Sequence, residues 1–125
     1  MIDKLGSNSL IVIKDGNIIF KSEKDRLRPI VMCINKNKEK MVGSIVIDKV
    51  VGLAAAKLLV FAKVKEIYAL LASKKAVNYL NDKNIKFQAE KIVENILNDD
   101  KSNICPMEKL AEELTEEELF EKLNK

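Results

Sequence analysis

The sequence has no histidine and no tryptophan, and its two cysteines, Cys33 and Cys105, lie far apart. Without histidine there can be no Cys–His catalytic pair. Neither cysteine belongs to a C-x-x-C pattern, and two cysteines provide no disulfide framework, although a single disulfide stays open. The chain therefore lacks the residues of the commonest thiol enzymes and of disulfide-rich domains.

Long apolar runs and signal-peptide features are also absent. The most apolar run, residues 50–62, is interrupted by Lys57 and is too short to span a bilayer. The start, Met1–Leu5, lacks the basic, apolar and small-residue order of a signal peptide. We therefore expect a cytoplasmic protein with no membrane partner.

What is present is the composition of one globular domain. The 125 residues are 47% hydrophobic and 33% charged, with four glycines, two prolines and no visible repeat. This mixture supplies a core inside a solvated shell, and the length suits one domain rather than two. The sequence therefore predicts a single domain over residues 1–125.

Charge is distributed unevenly along the chain. Residues 106–125 carry a net charge of −4, whereas residues 1–105 carry +7. This pattern predicts a docked, acidic C-terminal helical tail, about residues 106–125, on a mildly basic body; a basic groove for an anionic ligand is the alternative. The net charge of +3 is small and the six aromatic residues form no stacking motif, so nucleic acid is not an expected partner.

The N-terminal third has a hairpin pattern followed by a helix pattern. Residues 9–22 predict a β-hairpin, because two β-prone runs flank the Asp15–Asn17 turn. Apolar residues then recur at helical spacing from Leu27 to Ile34, with Pro29 suited to the first turn. The polar residues 35–40 predict a loop.

The middle of the chain predicts two buried strands, each followed by a helix. Residues 44–47 are a short apolar strand that runs through Asp48 into a helix from about Lys49 to Ala62. That helix is apolar almost all round, so it is expected to be the central one. Residues 67–71 form the second strand, and Ser73 caps the helix that follows it.

The last third predicts one more strand and three helices. Residues 85–90 alternate between apolar and polar, as in a half-exposed edge strand, and the apolar spacing of residues 92–97 predicts a helix. Helices are also predicted from Cys105 to Leu114 and from Thr115 onward, where Thr115 and Glu118 match a capping box. A hairpin followed by alternating strands and helices indicates an α/β fold with a mixed sheet and helices on both faces.

From the hairpin through Glu90, this order resembles the cytidine-deaminase fold, with one extra helix and strand after the hairpin. Two segments, Gly43–Gly52 (GSIVIDKVVG) and Ile104–Lys109 (ICPMEK), are similar to an uncharacterised prokaryotic family that has this fold. The similarity extends from about Ser9 to Leu123. The resemblance implies a three-layer α/β domain and no particular activity.

The residues that define zinc deaminases are missing. Those enzymes carry H/C-x-E at the start of the buried helix and P-C-x-x-C at the start of the next, and the bound zinc activates water. Here the two places contain Asp48-Lys49-Val50 and Ser73-Lys74-Lys75-Ala76, and a lysine at each helix start would repel a dication. We therefore expect no zinc, no other cofactor and no metal ligand.

The same two helix starts are candidates for binding an anion. Free backbone N–H groups and the helix dipole favour phosphate at such places, so Asp48, Lys49, Ser73 and Lys74 are the predicted ligand-binding residues for a nucleotide or another anionic small molecule. In the alternative interpretation, Asp48 is only a helix cap and both lysines are only solvated.

Cys105 and Glu108 are the candidate catalytic residues. A thiol at a helix start, followed one turn later by Lys109, would be stabilised as the nucleophilic thiolate. Glu108 could accept a proton or act as a capping group. The alternative is that Cys105 only fills space, as Cys33 is expected to do on the apolar face of its helix.

Two functional hypotheses follow. The first is a metal-free site for a nucleotide-type ligand, in a binding protein or a Cys105-dependent enzyme. The second is a non-catalytic structural or protein-interaction module that has kept the fold. The oligomeric state is open, and a homo-oligomer is compatible with both.

Overall fold

The computed structural model describes residues 2–24, 27–96 and 106–124. Within these ranges the chain forms one five-stranded sheet in the order β2-β1-β3-β4-β5. The strands are β1 (Leu10–Lys14), β2 (Asn17–Ser22), β3 (Ile45–Val51), β4 (Glu66–Ser73) and β5 (Lys86–Val93). The helices are α1 (Arg28–Met41), α2 (Leu53–Phe61), α3 (Lys74–Asp82), α4 (Pro106–Glu113) and α5 (Glu116–Leu123), and a short 3-10 turn spans Ile2–Lys4.

The predicted hairpin is confirmed. Asp15 and Gly16 both have positive φ angles, 50° and 82°. A two-residue hairpin turn requires positive φ at both of its central residues, because this geometry matches the twist of the paired strands. Strand β1 pairs antiparallel with β2 on one side and with β3 on the other. Its residues 10–13 are buried because β1 is an interior strand of the sheet.

Strands β3, β4 and β5 run parallel, with α2 and α3 as the connections between them. Because β2 is antiparallel to β1, and β1 to β3, β2 runs in the same direction as these three strands. The ends of β2, β3 and β4 therefore lie along one edge of the sheet, where α1, α2 and α3 begin. We call this the carboxyl edge.

Helical elements cover both faces of the sheet. All five α-helices contribute to the main core, which is centred on α2 and includes Ile34, Leu58, Leu80 and Leu119. A smaller cluster on the second face, formed by Leu5, Ile11, Ile13 and Ile47, lies under the N-terminal 3-10 turn. The result is the three-layer α/β architecture with a mixed sheet that the sequence predicted.

The predicted start of α2 is wrong by four residues. Instead of turning into a helix at Lys49, the chain continues as β3 through Val51, and α2 begins at Leu53 with Gly52 as the N-cap. Val50 and Val51 pair with Leu71 and Ala72 of β4, and β-branched side chains suit such a strand. Pairing with β4 therefore determines the structure of residues 49–51, although their apolar spacing is that of a helix.

Two other element predictions are also wrong. Residues 35–40, predicted as a loop, belong to α1, which is kinked at Asn37 and ends at the fully buried Met41. The helix predicted over residues 92–97 is absent up to residue 96, since Ile92 and Val93 extend β5 by pairing with Ala72 and Ser73. The polar residues 98–103, whose composition predicts a loop, lie outside the described residues.

The C-terminal helices α4 and α5 pack on the body of the protein. The predicted capping box is confirmed, because the Glu118 N–H bonds to the Thr115 hydroxyl while the Thr115 N–H bonds to the Glu118 carboxylate. Leu119 is fully buried, and the Phe120 ring stacks on Phe61 with centroids 5.0 Å apart. No described helix is long and apolar enough to cross a membrane.

Charge also attracts the tail to the body, as the charge pattern predicted. Lys75 pairs with Glu112, and the Lys83 ammonium lies 3.6 Å from a Glu116 carboxylate oxygen. These side chains are partly exposed, so each pair contributes little to the free energy of unfolding. Apolar burial therefore provides most of the docking energy.

Candidate functional site

Buried polar side chains gather at the carboxyl edge. Among the described residues five polar or charged side chains are buried, and four of them lie here: Ser9, Asp48, Ser73 and Glu108. The fifth, Ser44, lies just before the opposite end of β3. Ligands of open α/β sheets bind beyond the carboxyl ends of the strands, so this edge is the candidate site.

The start of α2 is occupied by the carboxylate of Glu108 from α4. The Leu53 N–H donates to Glu108 Oε2 at 2.7 Å, and the Ala54 N–H donates to Oε1 at 3.0 Å. N–H groups in the first turn of a helix have no acceptor within the helix, and the helix dipole adds a favourable interaction with negative charge. Glu108 is only 6% exposed, so the chain places its own anion where an anionic ligand would bind.

Gly52 makes this close approach possible. A Cβ atom at this position would lie 2.4 to 2.7 Å from the carboxylate atoms of Glu108. The backbone of Gly52, with φ −94° and ψ −175°, is ordinary extended chain, so space rather than conformation requires glycine here. The close neighbour that requires glycine here is an acid 56 positions later in the chain.

A second contact joins the same two helices, with the charged side chain now on α2 and the backbone acceptors at the end of α4. The Lys57 ammonium of α2 donates to the carbonyl oxygens of Ala111 and Leu114, at 2.5 and 2.6 Å. Ala111 belongs to the last turn of α4 and Leu114 directly follows this helix, and a cation is favoured at such a helix end. Helices α2 and α4 therefore each supply a charged cap to the other.

Asp48 lies within β3 rather than at a helix start. It pairs in register with Leu10 and Ala69, and its Oδ1 accepts a long hydrogen bond, 3.4 Å, from the Val50 N–H. Burial raises the pKa of Asp48 to about 8, although backbone hydrogen bonds from Val50 and Lys49 oppose the shift. The neighbouring Lys49 is exposed on the strand and does not flank a helix N-terminus.

The start of α3 is as predicted. The Ser73 hydroxyl caps the helix by accepting from the Ala76 N–H at 3.2 Å. Lys74 is the first helical residue, and its ammonium lies 2.6 Å from Glu94 in an exposed ion pair. Of the four predicted ligand-binding residues, Ser73 and Asp48 are therefore buried, whereas Lys49 and Lys74 face solvent.

A pocket of about 450 Å³ opens between α1 and the C-terminal helices. One wall is a stripe along α1 and the other comes from α4 and the end of α5, where the Asn35 amide donates to Asn124 Oδ1 at 2.6 Å. Its lining residues are Leu27, Arg28, Val31, Met32, Asn35, Met107, Leu123 and Asn124. Arg28 is the charged member of this set, and sequence reasoning did not select it because no local pattern marks it as a pocket residue.

The side chains at the helix starts do not fit the zinc of deaminases. The two positions that the sequence pattern assigned to the zinc ligands contain Asp48, which lies within β3, and Ser73, which directly precedes α3. The helices α1 and α2 begin instead with Arg28 and Leu53. Neither pair includes Cys or His. Within residues 2–24, 27–96 and 106–124, no three Cys, His, Asp or Glu side chains are grouped to hold a metal ion.

Of the two candidate catalytic residues, the structure describes Glu108 but not Cys105. Cys105 lies outside the described residues. Glu108 acts as a capping group, which was one of its predicted roles, but it caps α2 rather than its own helix. Cys33 is fully buried, as predicted for a core residue.

The fold is similar to the deaminase-like fold of RibD. Two crystal forms of RibD from Acinetobacter baumannii superpose with TM-scores of 0.52 and 0.54, at 17% and 18% sequence identity. Each match covers 92% of this chain and 32% of the RibD chain, so this chain spans about a third of that protein. At this identity the likeness shows the fold alone.

The chain belongs to the DUF1893 family, described as a domain of unknown function, whose model (TM1506) matches residues 3–125. The crystal structure of a DUF1893 family protein (TM1506) from Thermotoga maritima is 32% identical, with a TM-score of 0.87. That match covers 98% of this chain and 82% of the relative. No curated protein matches the chain.

Proposed function

We propose that the protein is a metal-free binding protein for a nucleotide-type or other anionic small molecule, and that the ligand lies in the pocket between α1 and the C-terminal helices. The pocket itself supports this proposal most directly. Its volume of about 450 Å³ is of the size that small-molecule sites have, roughly 300–1,000 Å³.

The lining suits a ligand with an apolar body and one anionic group. Arg28 begins α1, so its guanidinium and the helix dipole act on the same anion. Met32 and Met107 contribute flexible thioethers that can adapt to a flat ring, such as a nucleobase. This location replaces the helix starts of α2 and α3, whose N–H groups Glu108 and Ser73 already engage.

A thermal-shift panel of AMP, GMP, CMP and UMP tests this proposal. We expect at least one to raise the melting temperature of the wild type, and Arg28→Met to abolish the shift. Lys36→Met, an exposed residue on α1 outside the pocket, is the matched control and should preserve it. The shift should shrink with salt, because the charge interaction is screened.

Two outcomes contradict the proposal. If none of the four mononucleotides raises the melting temperature, the proposal that the pocket binds such a ligand is wrong. A shift that survives in Arg28→Met but disappears in a Lys49→Met, Lys74→Met double variant would place the anion at the helix starts instead.

The enzymatic form of the proposal depends on Cys105. In sequence this thiol precedes the pocket residue Met107 by two positions. A covalent role for it would need activation by a helix N-terminus or a lysine, because the chain has no histidine.

A protein-interaction module is the second candidate, and the second face of the sheet favours it. Ile18 is 56% exposed opposite Ile13 in the strand pairing, and Leu70 is 39% exposed two residues after Tyr68 of the same face. Exposed apolar residues beside a covered part of a sheet face are a common place for a partner. Native mass of the purified protein tests this candidate: a homo-oligomer that dissociates in Leu70→Lys would support it, and a monomer with no bound partner would not.

A further inference from the structure

We infer that α4 and α5 form a lid over the pocket and that the Glu108 carboxylate is the latch that holds this lid in place. The role of the lid in binding depends on the proposed ligand pocket. The latch itself is a contact between Glu108 and the start of α2, and it can be measured without any ligand.

The pocket depends on the position of the lid. Met107 of α4, together with Leu123 and Asn124 at the end of α5, makes the wall that faces α1. Met107 directly precedes Glu108, so the carboxylate that enters the start of α2 also sets where this wall lies. If α4 moves away from α2, the pocket loses that wall.

The latch is the most buried polar contact of the lid. Glu108 is 6% exposed and bonds to two N–H groups that have no other acceptor within α2. The other charged contacts lie nearer to solvent. The Lys57 ammonium, which bonds to two carbonyls at the end of α4, is only part-buried, and the side chains of Lys75, Glu112 and Lys83 are 46%, 43% and 46% exposed. Loss of an exposed pair costs little, whereas loss of Glu108 leaves buried donors unpaired.

A substitution at Gly52 can disrupt the same contact without changing Glu108 itself. A methyl group at Gly52 would lie 2.4 Å from Glu108 Oε1, and the nearest atoms that it meets all belong to this carboxylate. Gly52→Ala should therefore displace Glu108 while Glu108 itself stays intact. With Glu108→Ala the methyl group has nothing to displace, so the two substitutions should not add.

The experiment is a double-mutant cycle read by amide hydrogen exchange. The Leu53 and Ala54 amides donate directly to Glu108, so their exchange rates report the latch residue by residue. We expect Glu108→Ala and Gly52→Ala each to accelerate exchange at these two amides by about tenfold or more. The double variant should exchange no faster than Glu108→Ala alone.

Binding is measured on the same proteins with the mononucleotide that gives the largest thermal shift. Both single variants should weaken its binding by about the factor by which they open the latch, since only the closed lid completes the pocket. Glu112→Ala, which removes an exposed acid of the same helix, is the control and should change neither readout. Protected amides of Val46 and Ile67 in the central strands verify that each variant is folded.

The outcomes separate the latch from the ligand site. Unchanged exchange at Leu53 and Ala54 in Glu108→Ala, or additive effects in the double variant, would overturn the latch. If the exchange cycle behaves as expected and no mononucleotide binds the wild type, the latch stands and the proposed ligand pocket fails. If the latch opens and binding is unaffected, the lid has no part in the site.

Discussion

Asp48 is a carboxyl group in an apolar position. It lies on an interior strand between Leu10 and Ala69, where neither cross-strand neighbour carries a charge. Desolvation therefore dominates and the neutral form is favoured in the folded protein. Sequence reasoning placed Asp48 at a helix start, as a ligand-binding residue or as a cap, and only the strand pairing shows that it continues the apolar strand.

Because Asp48 is a buried acid, we expect the free energy of unfolding to depend on pH. An ordinary aspartate ionises at about pH 4, whereas Asp48 keeps its proton in the folded state up to about pH 8. Between these values folding takes up a proton, so the free energy of unfolding falls as pH rises, by at most about 1.4 kcal/mol per pH unit. Asp48→Asn should therefore match the wild type near pH 4 and become progressively more stable than it toward pH 8.

Urea unfolding of both proteins across this pH range measures the effect. Asp15→Asn, a change at an exposed acid in the hairpin turn, is the control and should leave the pH dependence of the wild type in place. Parallel curves for wild type and Asp48→Asn would show that Asp48 is ionised in the folded protein.

The two thiols should differ in reactivity. Burial raises the pKa of Cys33 to about 11, although a hydrogen bond with Asn37 lowers it, and the side chain is fully buried. Cys105, next to Pro106 at the start of α4, is predicted to react faster because a helix N-terminus stabilises thiolate. Alkylation by iodoacetamide across a pH series, read by peptide mass, measures both. Equally slow alkylation of both thiols at neutral pH would remove the basis for Cys105 catalysis.

At the scale of elements, local signals predicted the hairpin, the cap of α3 and the capping box of α5, because each depends on residues close in sequence. The errors fall where a distant partner decides. Strand β3 extends past Lys49, and β5 past Glu90, because each forms backbone hydrogen bonds with the neighbouring strand β4. Helix α1 continues to Met41 because this side chain is buried in the core. Hydrophobic periodicity contains no information about these partners.

The terminal helix should contribute measurably to stability. Leu119 is fully buried in the main core and Phe120 stacks on Phe61, so Leu119→Ala should lower the free energy of unfolding by about 2–5 kcal/mol. Glu117→Ala, an exposed position on the same helix, is the control. Urea midpoints measure the difference, and an unchanged midpoint for Leu119→Ala would mean that α5 is only appended to the body.

At the scale of the whole molecule, the fold resembles a deaminase domain, but the two places predicted for the zinc ligands contain Asp48 and Ser73. We therefore expect purified protein to contain no stoichiometric zinc and to leave cytidine and deoxycytidine unchanged. Elemental analysis and a deamination assay measure both. One zinc per chain, lost in Asp48→Ala or Ser73→Ala, would contradict this prediction.

The sequence alone determined the class of fold, the order of most elements, the docked acidic tail and the absence of Cys and His from the two predicted zinc positions. These follow from composition, periodicity and short-range capping, which are properties of neighbouring residues. Only the tertiary structure decided how the carboxyl edge is used. Glu108 reaches the start of α2 from a helix 55 residues away in sequence, and Arg28 becomes a pocket residue only when α4 and α5 pack beside α1. Such contacts depend on how distant elements meet in space, and no local pattern records them.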